Sequence, residues 1–268
     1  MTIRTMQPLA EWPEEERAAI QGVLTDIDDT LTTEGAVTPD VLEALDALAA
    51  AGVEVIPVTG RPVGWSAPFA ARWPVRAIVA ENGAVAITGR EKRYIQPAEV
   101  RAANHARMQQ VARRIVREVA GATISQDSDG RETDIAIDHG EFAHLPQEAI
   151  DAVVRLMRSE GMNATVSSIH VNGWYGDHNK LVGARWAVRE LLGRDLEAEI
   201  GRWVYVGDST NDVLMFERFP HSVGVANIRR FEDQLTHKPR YVTLGERGAG
   251  FAEVARALLG ARKRPSPA

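Results

Sequence analysis

The chain of 268 residues is 44% hydrophobic and 25% charged, as in an ordinary globular protein long enough for one large domain or two modest ones. Its formal net charge of −6 argues against nucleic acid or an anionic membrane as partner, and the absence of cysteine excludes disulfides, thiolate metal sites and cysteine nucleophiles. The N-terminal residues lack the apolar core of a signal peptide and no stretch approaches a membrane span, so we expect a cytoplasmic protein.

Short apolar runs that end at glycine or polar residues predict the buried strands of a parallel sheet. In chain order these runs are VLTDID (23–28), VEVIPVTG (53–60), AIVAENG (77–83), WVYVGDS (203–209), HSVGVAN (221–227) and RYVT (240–243). Helical patterns lie between or after them, at 38–52, 179–193 and 251–260. Alternating strands and helices predict a layered α/β fold with right-handed crossovers.

The middle of the chain has a different pattern. Amphipathic helices are predicted near 97–120 and 146–160, and the surrounding segments ATISQD, TDIAIDH and NATVSSIHVNGWY mix apolar and polar residues. Such strands are typical of a partly antiparallel sheet with one open face. We therefore predict a discontinuous core, an inserted α+β cap domain, an N-terminal extension and a tail, with these bounds: core 20–87 and 176–262, cap 88–175, extension 1–19, tail 263–268.

Polar clusters stand where the predicted core strands end or a helix begins. They are Asp26 with Asp28, Thr59-Gly60-Arg61, Lys180, and the stretch from Asp208 to Asp212. Ligands of open parallel sheets bind beyond the carboxyl ends of the strands, so we expect these clusters to meet at one rim. Their four carboxylates would repel one another, and a Mg²⁺ ion, which prefers oxygen ligands, would neutralise them.

This set of groups suits phosphoryl transfer. A carboxylate close to a phosphoryl group can act as nucleophile and form an aspartyl-phosphate. A second carboxylate two residues further along the same strand end can serve as general acid and then as base. Thr59 and Lys180 would hold the phosphate oxygens, where the transition state is most anionic.

Four motifs in one order give the chain a family resemblance. DIDDT (26–30), the threonine of VTGRP, a lysine ahead of a long helix and GDSTND (207–212) together resemble the haloacid dehalogenase superfamily of phosphohydrolases. ENGA (81–84) and the inserted domain resemble its Cof-like branch, subfamily IIB, which is similar in layout to sucrose-phosphate and mannosyl-3-phosphoglycerate phosphatases. The resemblance covers about residues 20–260 and implies a Rossmann-like core with a parallel sheet and an inserted α/β cap.

The same resemblance implies a role for each motif residue. Asp26 takes the position of the nucleophile and Asp28 that of the general acid and base. The implied phosphate and substrate contacts are Thr59, Gly60, Arg61, Lys180 and Asn211. The implied Mg²⁺ ligands are Asp26, the main-chain carbonyl of Asp28, Asp208 and Asp212, the last either directly or through water.

The sequence departs from the family pattern in two places. Asp29 stands where many members have glycine, and GDHNKLVG replaces a glycine-lysine-glycine run around Lys180. Structural alternatives also remain for single residues. Thr59 can cap a helix, and Arg61 can be an ion-pair partner instead of a substrate contact. Lys180 can be a surface lysine, with Arg185 in the role of the cation.

The cap offers candidates without a motif. His170, Asn172 and Trp174 alternate along a predicted strand and can share one face toward the substrate. The alternative is an exposed polar face with a packed tryptophan. Arg131 and His139 are further candidates for cap contacts. His178 lies next to the loop of Lys180 and can serve only to cap the helix that follows it.

These observations predict a Mg²⁺-dependent phosphatase that acts on a small phosphorylated metabolite, with a sugar phosphate as the expected substrate class. A bulky cap favours small substrates because it closes over the site and excludes water. The alternatives are a phosphosugar mutase similar to phosphomannomutase, and a non-catalytic metabolite-binding module. The sequence leaves the oligomeric state open.

Overall fold

The computed structural model describes residues 5–262. The strands in this part of the chain are β1 (Gln7–Pro8), β2 (Gly22–Thr25), β3 (Thr32–Thr33), β4 (Ala36–Val37), β5 (Glu54–Pro57), β6 (Ile78–Ala80), β7 (Val85–Thr88), β8 (Glu91–Tyr94), β9 (Thr123–Ile124), β10 (Ile135–Asp138), β11 (Asn163–Val166), β12 (His170–Trp174), β13 (Trp203–Gly207), β14 (His221–Gly224) and β15 (Tyr241–Val242). The helices are α1 (Glu14–Ala18), α2 (Pro39–Ala50), α3 (Val63–Ala70), α4 (Ala98–Glu118), α5 (Gln147–Ser159), α6 (Lys180–Leu192), α7 (Val213–Arg218) and α8 (Arg247–Arg262). Within residues 5–262, every helix is too short or too polar to cross a membrane.

A parallel sheet of six strands, in the order β1-β15-β14-β13-β2-β5, forms the centre of the fold. Val23 of β2 packs on one side of this sheet with Leu45 of α2 and Leu258 of α8. The next residue, Leu24, packs on the other side with Val188 of α6. Because both faces are covered, the strands read as continuous apolar runs. The predicted α/β class with a parallel sheet is confirmed.

The N-terminal segment, whose role the sequence did not indicate, lies along one edge of the sheet. Strand β1 pairs in parallel with β15. Trp12 is buried and stacks on the rings of His221 and Tyr241, each with its centroid 5.4 Å away. Helix α1 packs against α8. The extension therefore covers a sheet edge that would otherwise expose unpaired main-chain groups.

Strand β6 differs from the sequence prediction in its partners. It is buried as expected, but it begins an antiparallel sheet of β6, β7 and β8, and a single bridge between Val58 and Val79 links it to β5. The chain reverses after β6 because Asn82 and Gly83 adopt positive φ angles of 55° and 104°. The predicted boundary between core and cap, 87/88, falls inside β7. The division into core and cap domains stays a prediction, and the predicted tail, 263–268, lies outside the described residues.

The cap is built on an antiparallel sheet in the order β11-β12-β10-β9. Met108 and Ile115 of α4 and Val153 of α5 pack with Val171 of β12 in one hydrophobic cluster. Since side chains alternate along a strand, the neighbours of Val171 lie on the opposite face, toward the core. The two chain segments that join cap and core run side by side, where the Gln96 side chain donates to the Tyr175 carbonyl at 3.0 Å.

Candidate active site

The parallel sheet brings the predicted clusters to one rim. Asp26 follows β2, Thr59 follows β5, Asp208 follows β13, and Lys180 is the first residue of α6. All four residues are buried. The main-chain N–H of Asp26 donates to the Val206 carbonyl at 2.9 Å, which continues the pairing of β2 with β13 into the site.

Lys180 lies between two carboxylates. Its Nζ is 2.9 Å from Oδ2 of Asp26 and 2.7 Å from Oδ1 of Asp212. Burial alone would lower the pKa of Lys180, yet these two carboxylates raise it above its usual value. Helix α6 lies close to the turn that follows β6 because Gly183 of the helix meets Gly83 of the turn. A Cβ added at position 183 would lie 2.3 Å from the Cα of Gly83. Gly183, three residues after Lys180, therefore allows this close packing, although the segment GDHNKLVG departs from the glycine-lysine-glycine pattern of the family.

Three aspartates converge beside this lysine. Carboxylate oxygens of Asp26, Asp208 and Asp212 lie within 4.8 Å of one another, and all three side chains are buried. Asp212 is fully engaged: its Oδ2 accepts from the N–H groups of Asp208 (3.0 Å) and Ser209 (3.3 Å). Its Oδ1 accepts from Lys180. Asp212 is thus held rigidly in the loop after β13.

The remaining oxygens fit a divalent cation. Oδ1 of Asp208 is buried and has no hydrogen-bond partner among residues 5–262, while its Oδ2 accepts from Asn227 at 3.1 Å. Burial raises the pKa of Asp26 to about 7, and the nearby charges of Asp212 and Asp28 add to this against the opposing effect of Lys180. Burial, Asp212 and Asp26 together raise the pKa of Asp208. Crowded hard oxygens of this kind suit Mg²⁺, which would relieve their repulsion.

The side chain of Asp28 turns to Arg61. Nε of Arg61 lies 2.9 Å from Oδ1 of Asp28. The same guanidinium reaches two carboxylates of the cap, Asp127 at 3.3 Å and Glu141 at 2.8 Å. These three contacts match the ion-pair alternative for Arg61 and link the core to the cap.

The loop after β5 is also tied to the cap. Thr59 is fully buried, and its Oγ1 accepts from the N–H of Arg61 at 3.0 Å. The carbonyl of Gly60 accepts from the Arg131 guanidinium at 2.9 Å and from the Asn172 amide at 3.3 Å. Two of the cap candidates therefore contact main chain of the loop that carries Thr59.

Two further motif residues lie at the edge of this group. Asn211 is half-buried, and its side-chain oxygen accepts from the Ser209 hydroxyl at 3.1 Å. Asp29 has a φ of 53°, in the left-handed region that glycine adopts without strain and that aspartate tolerates. Glycine would therefore also suit this position. The Asp29 carboxylate pairs with Nε of Arg247 at 3.0 Å.

Known proteins resemble this chain in sequence and in fold. Residues 23–115 match the family model of the haloacid dehalogenase-like hydrolases. A structure from Thermoplasma acidophilum, protein 0175, superposes with a TM-score of 0.70 at 15% identity, covering 89% of this chain and 98% of that one. This chain has the haloacid dehalogenase-like fold. No curated protein sequence matches the chain.

Two further structures with the haloacid dehalogenase-like fold carry descriptive names. The C-terminal domain of the trehalose-6-phosphate phosphatase of C. albicans has a TM-score of 0.68 at 14% identity, covering 97% of this chain and 99% of that one. The sucrose-phosphatase of Synechocystis sp. PCC6803, solved with sucrose and phosphate, has a TM-score of 0.63 at 15% identity, covering 90% and 98%. Identities this low show a shared fold. The family resemblance drawn from the four motifs is confirmed.

The cap candidates separate into two groups. His170 and Asn172 are buried toward the core, and Nε2 of His170 lies 3.0 Å from Oε2 of Glu141. Trp174 instead packs in the cap's own hydrophobic cluster and donates from Nε1 to the His178 carbonyl at 2.8 Å. His139 contacts the Ser167 carbonyl at 3.0 Å, within the cap. The shared face predicted from alternation thus holds for the first two residues only.

Sequence reasoning missed several residues of the site. Asn227 follows β14 and bonds both Asp208 and the Asp29 carbonyl, so the rule that ligands gather beyond strand ends would have found it. Tyr205 donates from its hydroxyl to Oδ1 of Asp212 at 2.5 Å, yet in the sequence it is one aromatic residue within a buried strand. No sequence pattern marks Glu141 as a site residue, because its position opposite Arg61 depends on a loop of the cap that is distant in sequence.

Proposed function

We propose that this chain is a Mg²⁺-dependent phosphohydrolase that removes phosphate from a small phosphorylated sugar through an aspartyl-phosphate on Asp26. The observation that carries the proposal is the buried arrangement of Asp26, Lys180, Asp208 and Asp212 at one rim of the sheet. The names of two proteins with the same fold, a sucrose-phosphatase and a trehalose-6-phosphate phosphatase, support a sugar phosphate as substrate.

In this mechanism Asp26 attacks phosphorus in line with the ester oxygen. A bond from Asp26 to phosphorus forms, the ester P–O bond breaks, and Asp28 gives its proton to the departing oxygen. A water molecule then attacks phosphorus, Asp28 takes the proton of that water, and inorganic phosphate leaves with Asp26 restored. Nε of Arg61 lies 2.9 Å from Oδ1 of Asp28 and fixes the direction of this carboxyl group, so that the other oxygen, Oδ2, carries the proton in the first step and takes it up in the second.

Positive charge supports both steps. Lys180 opposes the rise in the pKa of Asp26 and so favours its nucleophilic carboxylate form. In this proposal Thr59 and Lys180 hold phosphoryl oxygens as charge develops on them. Mg²⁺ held by Asp26 and Asp208, with Asp212 orienting the loop that carries Asp208, would act as a Lewis acid toward the phosphoryl group.

The test is phosphate release from a panel of phosphorylated metabolites, with and without Mg²⁺. We expect Mg²⁺-dependent release that falls by about a thousandfold or more in Asp26→Asn, since removing a nucleophile commonly costs this much. Asp46→Asn, an exposed aspartate on α2, is the matched control and should keep the wild-type rate. Substantial Mg²⁺-dependent release by a folded Asp26→Asn protein would contradict the proposal. Product analysis separates it from the mutase alternative, which would give an isomerised sugar phosphate and little free phosphate.

A further inference from the structure

A cavity of about 390 Å³ opens next to Asp28, between core and cap. Its lining is Asp28, Asp29, Glu34, Arg61 and Arg247 of the core, with Glu141, Phe142 and Ile169 of the cap among others. If Asp28 protonates the departing oxygen, as in the proposed function on which this inference rests, the rest of the leaving group occupies this cavity. Its volume is within the usual range for a small-molecule site.

The lining has an excess of negative charge. Four carboxylates, those of Asp28, Asp29, Glu34 and Glu141, face two guanidinium groups. Both guanidinium groups are already paired: Arg61 with Asp28 and Glu141, and Arg247 with Asp29. Among the described lining residues no further cation is present to receive an anion. A carboxylate or second phosphate on the leaving group would therefore meet like charge without a partner.

The cap side of the cavity is held in one conformation by a buried carboxylate. Oδ1 of Asp138 accepts from the main-chain N–H of Gly140 (3.1 Å) and Glu141 (2.9 Å). Its Oδ2 accepts from the N–H of Phe142 (2.9 Å) and Ala143 (3.2 Å). Four N–H groups around one carboxylate fix the loop 139–143, which we name the cap loop. Its Phe142 side chain is 63% exposed although it is a large apolar group.

We infer that this cavity selects substrates whose leaving group is uncharged and bears hydroxyl groups, and that it discriminates against carboxylate-bearing and bisphosphorylated substrates. Glu141 and Phe142 of the cap loop are the specificity-determining residues. The carboxylate of Glu141 accepts hydroxyl hydrogens and repels anions. The ring of Phe142 covers an apolar face of the leaving group, as aromatic rings do at binding surfaces.

Matched substrate pairs test this inference. Glycerol 3-phosphate and 3-phosphoglycerate differ by a CH₂OH group against a carboxylate, and so do glucose 1-phosphate and glucuronate 1-phosphate. We expect kcat/KM to favour the neutral member of each pair at least tenfold, about 1.4 kcal/mol. Glu141→Gln should narrow this ratio severalfold, while Glu148→Gln, an exposed glutamate on α5, should leave it unchanged. Equal or higher kcat/KM for the anionic members overturns the inference.

Binding to the Asp26→Asn protein separates this inference from the proposed function. Calorimetry with the same four phosphates should show tighter binding of each neutral member. If wild-type protein releases no phosphate from any compound, the proposed function fails, while tighter binding of the neutral members still supports the selectivity of the cavity. Normal phosphate release together with equal or tighter binding of the anionic members overturns the selectivity alone.

Discussion

Asp212 shows how single side chains act on the site through others. It accepts hydrogen bonds from Lys180, the Tyr205 hydroxyl and two main-chain N–H groups, so both its oxygens are occupied. A carboxylate used in this way orients its neighbours more than it ligates a metal. Partners of metal-binding groups commonly change metal affinity by tenfold or more when they are removed.

We expect Tyr205→Phe to raise the Mg²⁺ concentration for half-maximal phosphate release about tenfold, because the loop that carries Asp208 loses one of its supports. Mg²⁺ titration calorimetry measures the same effect without turnover. Tyr175→Phe is the matched control, since its hydroxyl donates to the Glu160 carbonyl within the cap, at 3.1 Å. Unchanged Mg²⁺ affinity in Tyr205→Phe would show that Asp212 is held well enough by its other donors.

His178 gives a pH dependence of stability. It is buried beside Trp174, and neither ring nitrogen has a hydrogen-bond partner among residues 5–262. Burial lowers its pKa from 6.5 to about 4, against a small opposing effect of Asp177. Between these values the unfolded chain binds a proton that the folded chain does not bind. The contribution of His178 to the free energy of unfolding therefore falls as the pH drops from 6.5 to 4.

We expect His178→Phe to remove up to about 3 kcal/mol of this acid sensitivity, measured as the difference in unfolding free energy between pH 7 and pH 4. Urea titrations at several pH values give the slope of the unfolding free energy against pH, independently of absolute stability. His144→Phe, at an exposed position, should keep the wild-type slope. If the unfolding free energy of wild type and of His178→Phe changed equally with pH, His178 would not be the source of the acid sensitivity.

The meeting of the candidate catalytic residues at one rim was predictable from the sequence because these residues obey a local rule. Asp26, Thr59 and Asp208 each follow a buried strand, and parallel strands bring such positions together whatever the rest of the chain does. The contacts of Arg61 and Tyr205 depend on what a distant segment places opposite them. No local pattern encodes that information, so the ion pairs with the cap and the support of Asp212 were not predictable.

Among the elements, the cap loop is the clearest case of a segment fixed by one side chain. Four consecutive N–H groups point at Asp138, and the carbonyl of Ile169 accepts from the N–H groups of His139 and Gly140. Loops with so many paired main-chain groups open less often than loops bound only to water.

Asp138→Asn should release this loop. The amide has one acceptor oxygen, so its NH₂ group faces two N–H donors that the carboxylate had satisfied. We expect the unfolding free energy to fall by about 2 kcal/mol and amide exchange at Phe142 and Ala143 to rise about tenfold. Hydrogen exchange read by NMR measures both amides, with Asp129→Asn, an exposed aspartate of the cap, as control. Wild-type exchange rates in Asp138→Asn would mean that the contacts with the Ile169 carbonyl are sufficient to hold the cap loop without the carboxylate.

Element types were more predictable than element partners. Helices α2, α6 and α8 and the strands of the parallel sheet follow from apolar spacing and from glycine and proline stops. The antiparallel pairing of β6 depends on positive φ angles at Asn82 and Gly83, which a buried apolar run does not reveal. Strand β1 is two residues long, too short for any periodicity.

For the molecule as a whole, the main question is how core and cap meet. Besides the ion pairs of Arg61, the main chains touch at two glycines. A Cβ added to Gly64 at the start of α3 would lie 2.7 Å from the Cα of Gly130 in the cap. Such a distance requires a backbone to move, so position 64 needs glycine for this close approach.

Gly64→Val should therefore push the cap away from the core. We expect at least a tenfold fall in kcat/KM for a sugar phosphate and a longer distance between labels on core and cap. The chain has no cysteine, so two engineered cysteines on exposed positions can carry a fluorescent pair without background. Gly201→Val is the control, because a Cβ there has no neighbour within 4 Å. Unchanged label distances in Gly64→Val would show that this contact does not limit closure.

The interruption of the core by the cap also determines when each part can assemble on the ribosome. All four strands of the cap sheet and both its helices lie without interruption between Ala98 and Trp174. The pairing of β2 with β13 in the parallel sheet, by contrast, joins Gly22 to Trp203, and β1 pairs only with the late strand β15. A nascent chain thus carries all of the cap while β2, which is followed by the cluster of aspartates, has β5 beside it but still lacks β13. During that interval one edge of β2 exposes unpaired main-chain groups, a feature that makes incompletely folded chains prone to aggregation.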